Sequence, residues 1–283
     1  MITTLEFPPL NRRDAKIWKS YSRRYAMHKK KQWCVVSSLA IVMAMPLLST
    51  ADLVGHYKLD ESSGTLHDTG TGKAVDVTNS LKDSKDYAQP SVPAGTYGDL
   101  TLTADQAKQF KSSIHVPAGD GLNLGLAANS KLNLTGNFTV MAWVKVSKTD
   151  GYHIIFATGA GSGNGWKIGV SEDNFVFTAN GVADVSLDSV TVEADKWYHV
   201  AVTVAGTIDA RTITFYVNGK KANTDALTAD DIKPSDAKDM HIGTAENGDD
   251  TPENLDGNVE DLRIYNTVLN EKEIQTAAVT AAP

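Results

Sequence analysis

The chain has 283 residues, 41% of them hydrophobic, a single cysteine and a net charge of −7. The charge is unevenly placed: residues 1–51 carry nine Lys and Arg against Glu6 and Asp14, a local +7, so the remainder carries −14. A body this acidic repels phosphate, which excludes nucleic acid as a partner class. One thiol excludes a disulfide framework, so core burial has to hold the body together.

The basic stretch ends in Lys29-Lys30-Lys31 and gives way to an uncharged run, Gln32 to Ala51, with its apolar centre over Cys34 to Leu48. Pro46 interrupts that run and Ser49-Thr50-Ala51 closes it with small residues. A positive n-region, an apolar h-region and a small-residue exit read as a secretory signal cut after Ala51. The alternative is an uncleaved signal anchor, since about 20 residues can just span a bilayer; it is the one membrane association the sequence offers. In both cases the positive-inside bias sends the acidic body out of the cytoplasm. Met27 opens a compact signal of its own and is an alternative start. Cys34 precedes the apolar run, which excludes a lipoprotein-type anchor there. The expected organisation is a leader over 1–51, one domain over 52–279 and a frayed tail over 280–283.

Past the leader the chain reads as short β segments separated by Gly, Asn, Asp and Ser clusters. Leu53, Gly55, Tyr57 and Leu59 alternate with other residues. The stretch Thr78 to Gly98 reads as a long surface loop. Phe138, Val140, Ala142, Val144 and Val146 form one side of a longer strand, with Met141 and Trp143 on the other. Segments Ile154 to Ala157, Trp166 to Val170 and Phe175 to Thr178 follow, then the alternations Val200/Val202/Val204 and Ile213/Phe215/Val217. Asn218-Gly219 signals a type I′ hairpin, because both turn positions need positive φ. Near the end, Asn270 and Glu273 form a capping-box pattern, with Ile274 and Ala278 on one helical face. The expected fold class is all-β: a two-sheet antiparallel sandwich, or jelly roll, with a short C-terminal helix.

Four segments in order carry a family resemblance. They are Leu53 to Gly64 with Asp68, Gly70 and Gly72; Phe138 to Lys145; Lys196 to Thr203 followed by Phe215 to Lys220; and the closing run Leu255 to Tyr265. Together they resemble the laminin-G-like, concanavalin A-like jelly rolls of bacterial secreted proteins. The resemblance implies a secreted domain that presents edge loops and a sheet face to an extracellular glycan or a surface protein. It also implies a calcium ion where the first and last strands meet, with Asp60, Asp68 and Glu260 as the candidate metal ligands.

Catalytic chemistry leaves little trace. Glycosidases on this jelly roll carry paired acids on one strand, typically Glu-x-Asp-x-x-Glu, so that alternation aims them at one bond. Here Glu172-Asp173 and Glu260-Asp261 are adjacent pairs, which an ordinary strand sends to opposite faces. The histidines show no metal-ligand spacing, and no nucleophile elbow or phosphate loop appears. For sugar stacking, Tyr152 and Trp166 are the candidate ligand-binding residues, because each sits beside a turn or Gly-rich loop. Trp143 and the Trp197-Tyr198-His199 run read as framework packing. The sequence thus favours a non-catalytic binding or adhesion module for extracellular carbohydrate. The alternatives are a structural or protein-binding envelope component, and a glycan hydrolase or lyase.

Overall fold

The computed structural model describes residues 53–71, 77–78, 81–124, 131–159, 164–208, 210–227, 231–235, 240–245 and 253–280. The expected leader, and the acids at 230, 236, 239, 246, 249 and 250, lie outside the described residues. In chain order the first half runs β1 (Leu53–Tyr57), β2 (Thr65–Leu66), β3 (Val77–Thr78), β4 (Gly95–Tyr97), β5 (Leu100–Leu102), α1 (Ala104–Ala107), β6 (Ile114–Val116), β7 (Leu122–Asn123) and β8 (Phe138–Val146). The second half runs β9 (Tyr152–Ala157), β10 (Trp166–Ser171), β11 (Asn174–Ala179), β12 (Ala183–Leu187), β13 (Tyr198–Thr207), β14 (Ala210–Val217), β15 (Lys220–Leu227), β16 (His241–Ile242), β17 (Gly257–Tyr265) and α2 (Glu271–Ala278).

Two antiparallel sheets make the sandwich. One has seven strands in the order β1-β17-β8-β13-β14-β15, with β6 also paired to β17; the other has six, β12-β11-β10-β9-β16-β7. Strand alternation decides what lies between them. From the first sheet come Val140, Ala142, Val144, Val200, Val202, Val204, Ile213 and Phe215; from the second come Phe156, Trp166, Ile168, Val170, Phe175 and Phe177. The Asn218-Gly219 turn has φ of 51° and 78°, the two positive values a type I′ hairpin needs. Helix α2 is capped as the sequence indicates: Asn270 accepts from the Glu273 backbone N–H, Glu273 accepts from the Asn270 backbone N–H, and Ile274, Ala277 and Ala278 are buried.

The seven-stranded sheet is buried on its second face too. Met141, Ala201, Tyr216 and Tyr265 pack under Leu269, Ile274 and Ala277. Beside them Trp143 packs with Val92, Leu100, Leu102, Phe110 and Ala278. Helix α2, the β4–β5 hairpin and the α1 segment therefore roof that face. This corrects the surface-loop reading of Thr78 to Gly98. The stretch contains a 3-10 turn at Ser84–Asp86 and strand β4, and it buries Tyr87 and Val92. Burial on both faces explains why β8 reads as an almost unbroken apolar run, Phe-Thr-Val-Met-Ala-Trp-Val-Lys-Val.

Candidate functional site

The closing strand departs from simple alternation. In β17, Glu260 lies opposite Trp143 and Arg263 opposite Met141, so two residues of β17 face one of β8. The extra residue is Asp261, at φ 55°; Asp tolerates this left-handed conformation better than most L-residues. Such a bulge breaks the two-residue period. Glu260, Asp261 and Arg263 consequently all reach the roofed face, which corrects the expectation that the two acids point apart. The other adjacent pair, Glu172-Asp173, is the two-residue turn between β10 and β11, with φ of 46° and 65°.

Each acid of the bulge has a distinct electrostatic state. Asp261 meets Arg263 in a paired contact, Nε to Oδ1 at 3.0 Å and NH2 to Oδ2 at 2.8 Å, and His56 Nε2 lies 2.8 Å from Oδ1. Burial pushes the Asp261 carboxyl up, but the Arg263 guanidinium and His56 outweigh it and hold it below the usual range. Among the described residues Glu260 has no cation within ion-pair distance. Burial pushes it up to about 8, against the bonds it accepts from Val92 N–H and the Ser91 hydroxyl, and the charges of Asp261 and Asp60 add to the rise. Those bonds, at 2.9 and 2.8 Å, tie the roof to β17. His199, one strand beyond Trp143, is pushed by burial down to about 3, so it is neutral. Arg263 also donates to the Thr280 carbonyl, which pins the first residue of the expected frayed tail.

At the rim of this face, next to the Glu260–Trp143 pair, lies a more open row. Asn258 of β17 pairs with His115 of β6 on one side and with Lys145 of β8 on the other. Trp197, immediately before β13, continues the row, and the Lys145 ammonium sits 5.6 Å from its ring centroid. Trp197, Lys145 and His115 are half-buried. Tyr97, also half-buried, packs on the same Trp143 cluster as Trp197, its ring edge-on to Trp143 at 5.0 Å and its hydroxyl donating to the Pro93 carbonyl.

The ligand candidates from sequence lie elsewhere. Trp166 is fully buried, stacked on Phe138 at 4.7 Å and donating its indole N–H to the Leu134 carbonyl. This corrects its reading as a loop-side ligand residue: as the first residue of β10 it points into the core. Tyr152 lies on the outer face of the six-stranded sheet. Its ring passes over Gly169, where a Cβ would stand 2.7 Å from the ring and 2.4 Å from the His153 carbonyl. The Lys167 ammonium lies 4.3 Å from the ring centroid and 2.7 Å from Glu253, and the Tyr152 hydroxyl is bonded to Thr178.

The three metal candidates do not form a cage. Asp68 accepts from the His56 and Gly70 backbone N–H groups, and the Lys131 ammonium lies 2.8 Å from its other oxygen. Asp60 pairs with Lys111 at 3.5 Å, and Glu260 spends both oxygens on the roof. An ammonium on one carboxylate and a neutral second acid do not fit a hard dication, which needs ionised oxygens free to coordinate. Among the described residues no group of three or more His, Cys, Asp or Glu is placed to hold a metal.

Comparison with known proteins agrees with this architecture. The family model described as the concanavalin A-like lectin/glucanases superfamily, of laminin-G type, matches residues 118–275. The chain belongs to this family. Its fold is similar to the botulinum neurotoxin serotype D binding domain, at TM-score 0.51 and 17% identity over 80% of this chain and 51% of that one. It is also similar to a Trypanosoma rangeli sialidase, at TM-score 0.51 and 17% identity over 93% of this chain and 39% of that one. The chain thus spans about half the length of the toxin domain and less of the sialidase. No curated protein matches it.

Proposed function

We propose that this protein is an exported, non-catalytic module that binds extracellular carbohydrate at the rim of the roofed sheet face. The observation that carries this reading is the pair of half-buried aromatics, Trp197 and Tyr97, beside Lys145, Asn258 and His115. Pyranoses are recognised by stacking their apolar face on an aromatic ring while polar groups fix their hydroxyls. A rigid sandwich supplies such groups in a fixed frame. Export is supported by the signal-like leader and by the family's lectin-like fold. Among the described residues no helix is long and apolar enough to cross a membrane.

Binding is favoured over hydrolysis by the state of the two acids that share a face. Glu260 and Asp261 differ in protonation, as a general acid and its partner should. Yet they are 1% and 6% exposed and engaged with Ser91, Val92, Arg263 and His56. No sugar reaches them with the roof in place.

The test is a binding screen of the full chain against neutral and acidic polysaccharides, in calcium and in EDTA, with Trp197→Ala and Tyr152→Phe variants. A defined hit that weakens at least tenfold in Trp197→Ala and stays within twofold in Tyr152→Phe is the expected result. A hit unaffected by Trp197→Ala, or a blank across the panel, overturns the reading in favour of another face or a protein partner.

A further inference from the structure

The rim row carries one charge that the protein does not answer. Four acids beside it are paired with a cation: Asp256 with Lys148 at 3.6 Å, Asp60 with Lys111, Asp261 with Arg263 and Glu193 with Lys196. Glu260 is uncharged at neutral pH because burial raises it. Asp195, two residues before Trp197, is exposed to water. Among the described residues Lys145 has no carboxylate within the 4.0 Å of an ion pair; its ammonium has the Trp197 ring and nothing closer in kind. At 5.6 Å that contact is near the outer limit of a cation–π interaction, so it leaves the charge free to pair. Next in the row, Asn258 is buried, and its amide N–H donates to the Ser113 hydroxyl at 3.0 Å, which fixes the side chain.

Resting on the carbohydrate reading above, we propose that this row is a subsite for an anionic pyranose, in which a uronate carboxylate pairs with Lys145 while Trp197 takes the sugar ring. A half-buried ammonium favours an anionic partner, since charge-assisted bonds are about twice as strong as neutral ones.

The experiment is calorimetric titration of the full chain with three probes: oligogalacturonate, its carboxyl-reduced neutral counterpart, and a sulfated galactan. Each is run with the parent chain, Lys145→Met and Trp197→Ala, and melting curves verify that the variants fold. The expected result is that oligogalacturonate binds at least tenfold tighter than the reduced oligomer. Lys145→Met should bring it to the level of the neutral probe without weakening the neutral probe, and Trp197→Ala should weaken both. Equal binding of the acidic and reduced oligomers, with Lys145→Met silent, overturns the anionic subsite and leaves the carbohydrate reading standing. Equal or tighter binding of the sulfated polymer with the same dependence on Lys145 overturns the carboxylate assignment. Binding that survives both substitutions overturns the placement, and no binding of any probe overturns the carbohydrate reading with it.

Discussion

Among the described residues there are two lysine–aromatic pairs, one on the outer face of each sheet, and they differ in how far they are closed. On the six-stranded sheet, Lys167 lies 4.3 Å from the Tyr152 ring centre and 2.7 Å from the Glu253 carboxylate. Its side chain is 6% exposed. Ammonium, ring and acid satisfy one another, and the pair reads as structure. On the seven-stranded sheet, Lys145 lies 5.6 Å from the Trp197 ring centre with no acid in reach among the described residues. The same residue types at two spacings therefore mean different things, and the missing third partner marks the pair that a ligand can complete.

The largest expected effect concerns the acid that keeps the open pair uncontested. The Glu260 carboxyl is raised from 4.5 to about 8, so the sign is that of a group which prefers its proton in the folded state. Below pH 4.5 both states are protonated and the group is neutral to stability; between 4.5 and about 8 only the unfolded chain ionises, and stability falls with rising pH; above 8 it levels off. A shift of this size corresponds to on the order of 5 kcal/mol. Glu260→Gln removes the charge, accepts from the Val92 N–H and donates its amide to the Ser91 hydroxyl oxygen, so its melting temperature at pH 8 should exceed the parent's by roughly 10–20 °C, with the difference absent at pH 4. Equal slopes of melting temperature against pH in the two proteins would show that Glu260 is hydrated and the roof open.

Gly169→Ala attacks the closed pair from beneath. The added Cβ meets the His153 carbonyl at 2.4 Å and the Tyr152 ring at 2.7 Å. Overpacking of this kind should cost about 1–3 kcal/mol, read as a lowered denaturation midpoint at unchanged slope. Next in size, Glu253→Gln leaves the Lys167 ammonium without its acid. A sealed pair would lose about 3–5 kcal/mol, but Glu253 is 35% exposed and water compensates in part, so about 2 kcal/mol is expected by chemical denaturation. Smallest is Lys145→Met, which should change stability by less than about 0.5 kcal/mol. A loss as large as that of Glu253→Gln would erase the contrast between the pairs.

The sandwich and its C-terminal helix were legible because they rest on local rules. Alternation in β13 and β14, the Asn218-Gly219 turn and the Asn270/Glu273 cap each need only a few neighbouring residues. What was not legible depends on long-range pairing. Two tryptophans show the limit: Trp166 follows a Gly-rich loop yet is the first inward residue of β10, whereas Trp197 packs on the Trp143 cluster as its framework motif implies but stops one residue short of β13 and stays only half-buried. No periodicity marks which side of a strand end a side chain takes. The roof escaped notice because Ser91 and Val92 hold Glu260 through a hydroxyl and a backbone N–H, groups that no hydrophobic pattern reports. The bulge at Asp261 exists only relative to β8, so the adjacent acids gave no warning that they share a face.

The pairing of β1 with β17 also carries a kinetic consequence. Within its sheet β1 hydrogen-bonds to β17 alone, and His56 and Asp261 are 205 positions apart. At a synthesis rate of about 5–20 residues per second, the first strand waits roughly 10–40 s for its partner. During that interval the edge that will meet β17 is unpaired and able to recruit another chain, while the Leu53 and His56 carbonyls accept from Thr71 and Thr69. Its short length, five residues with an irregular register between Leu53 and Gly55, makes it a poor template. The β1 edge of the seven-stranded sheet thus cannot close until β17 has been made.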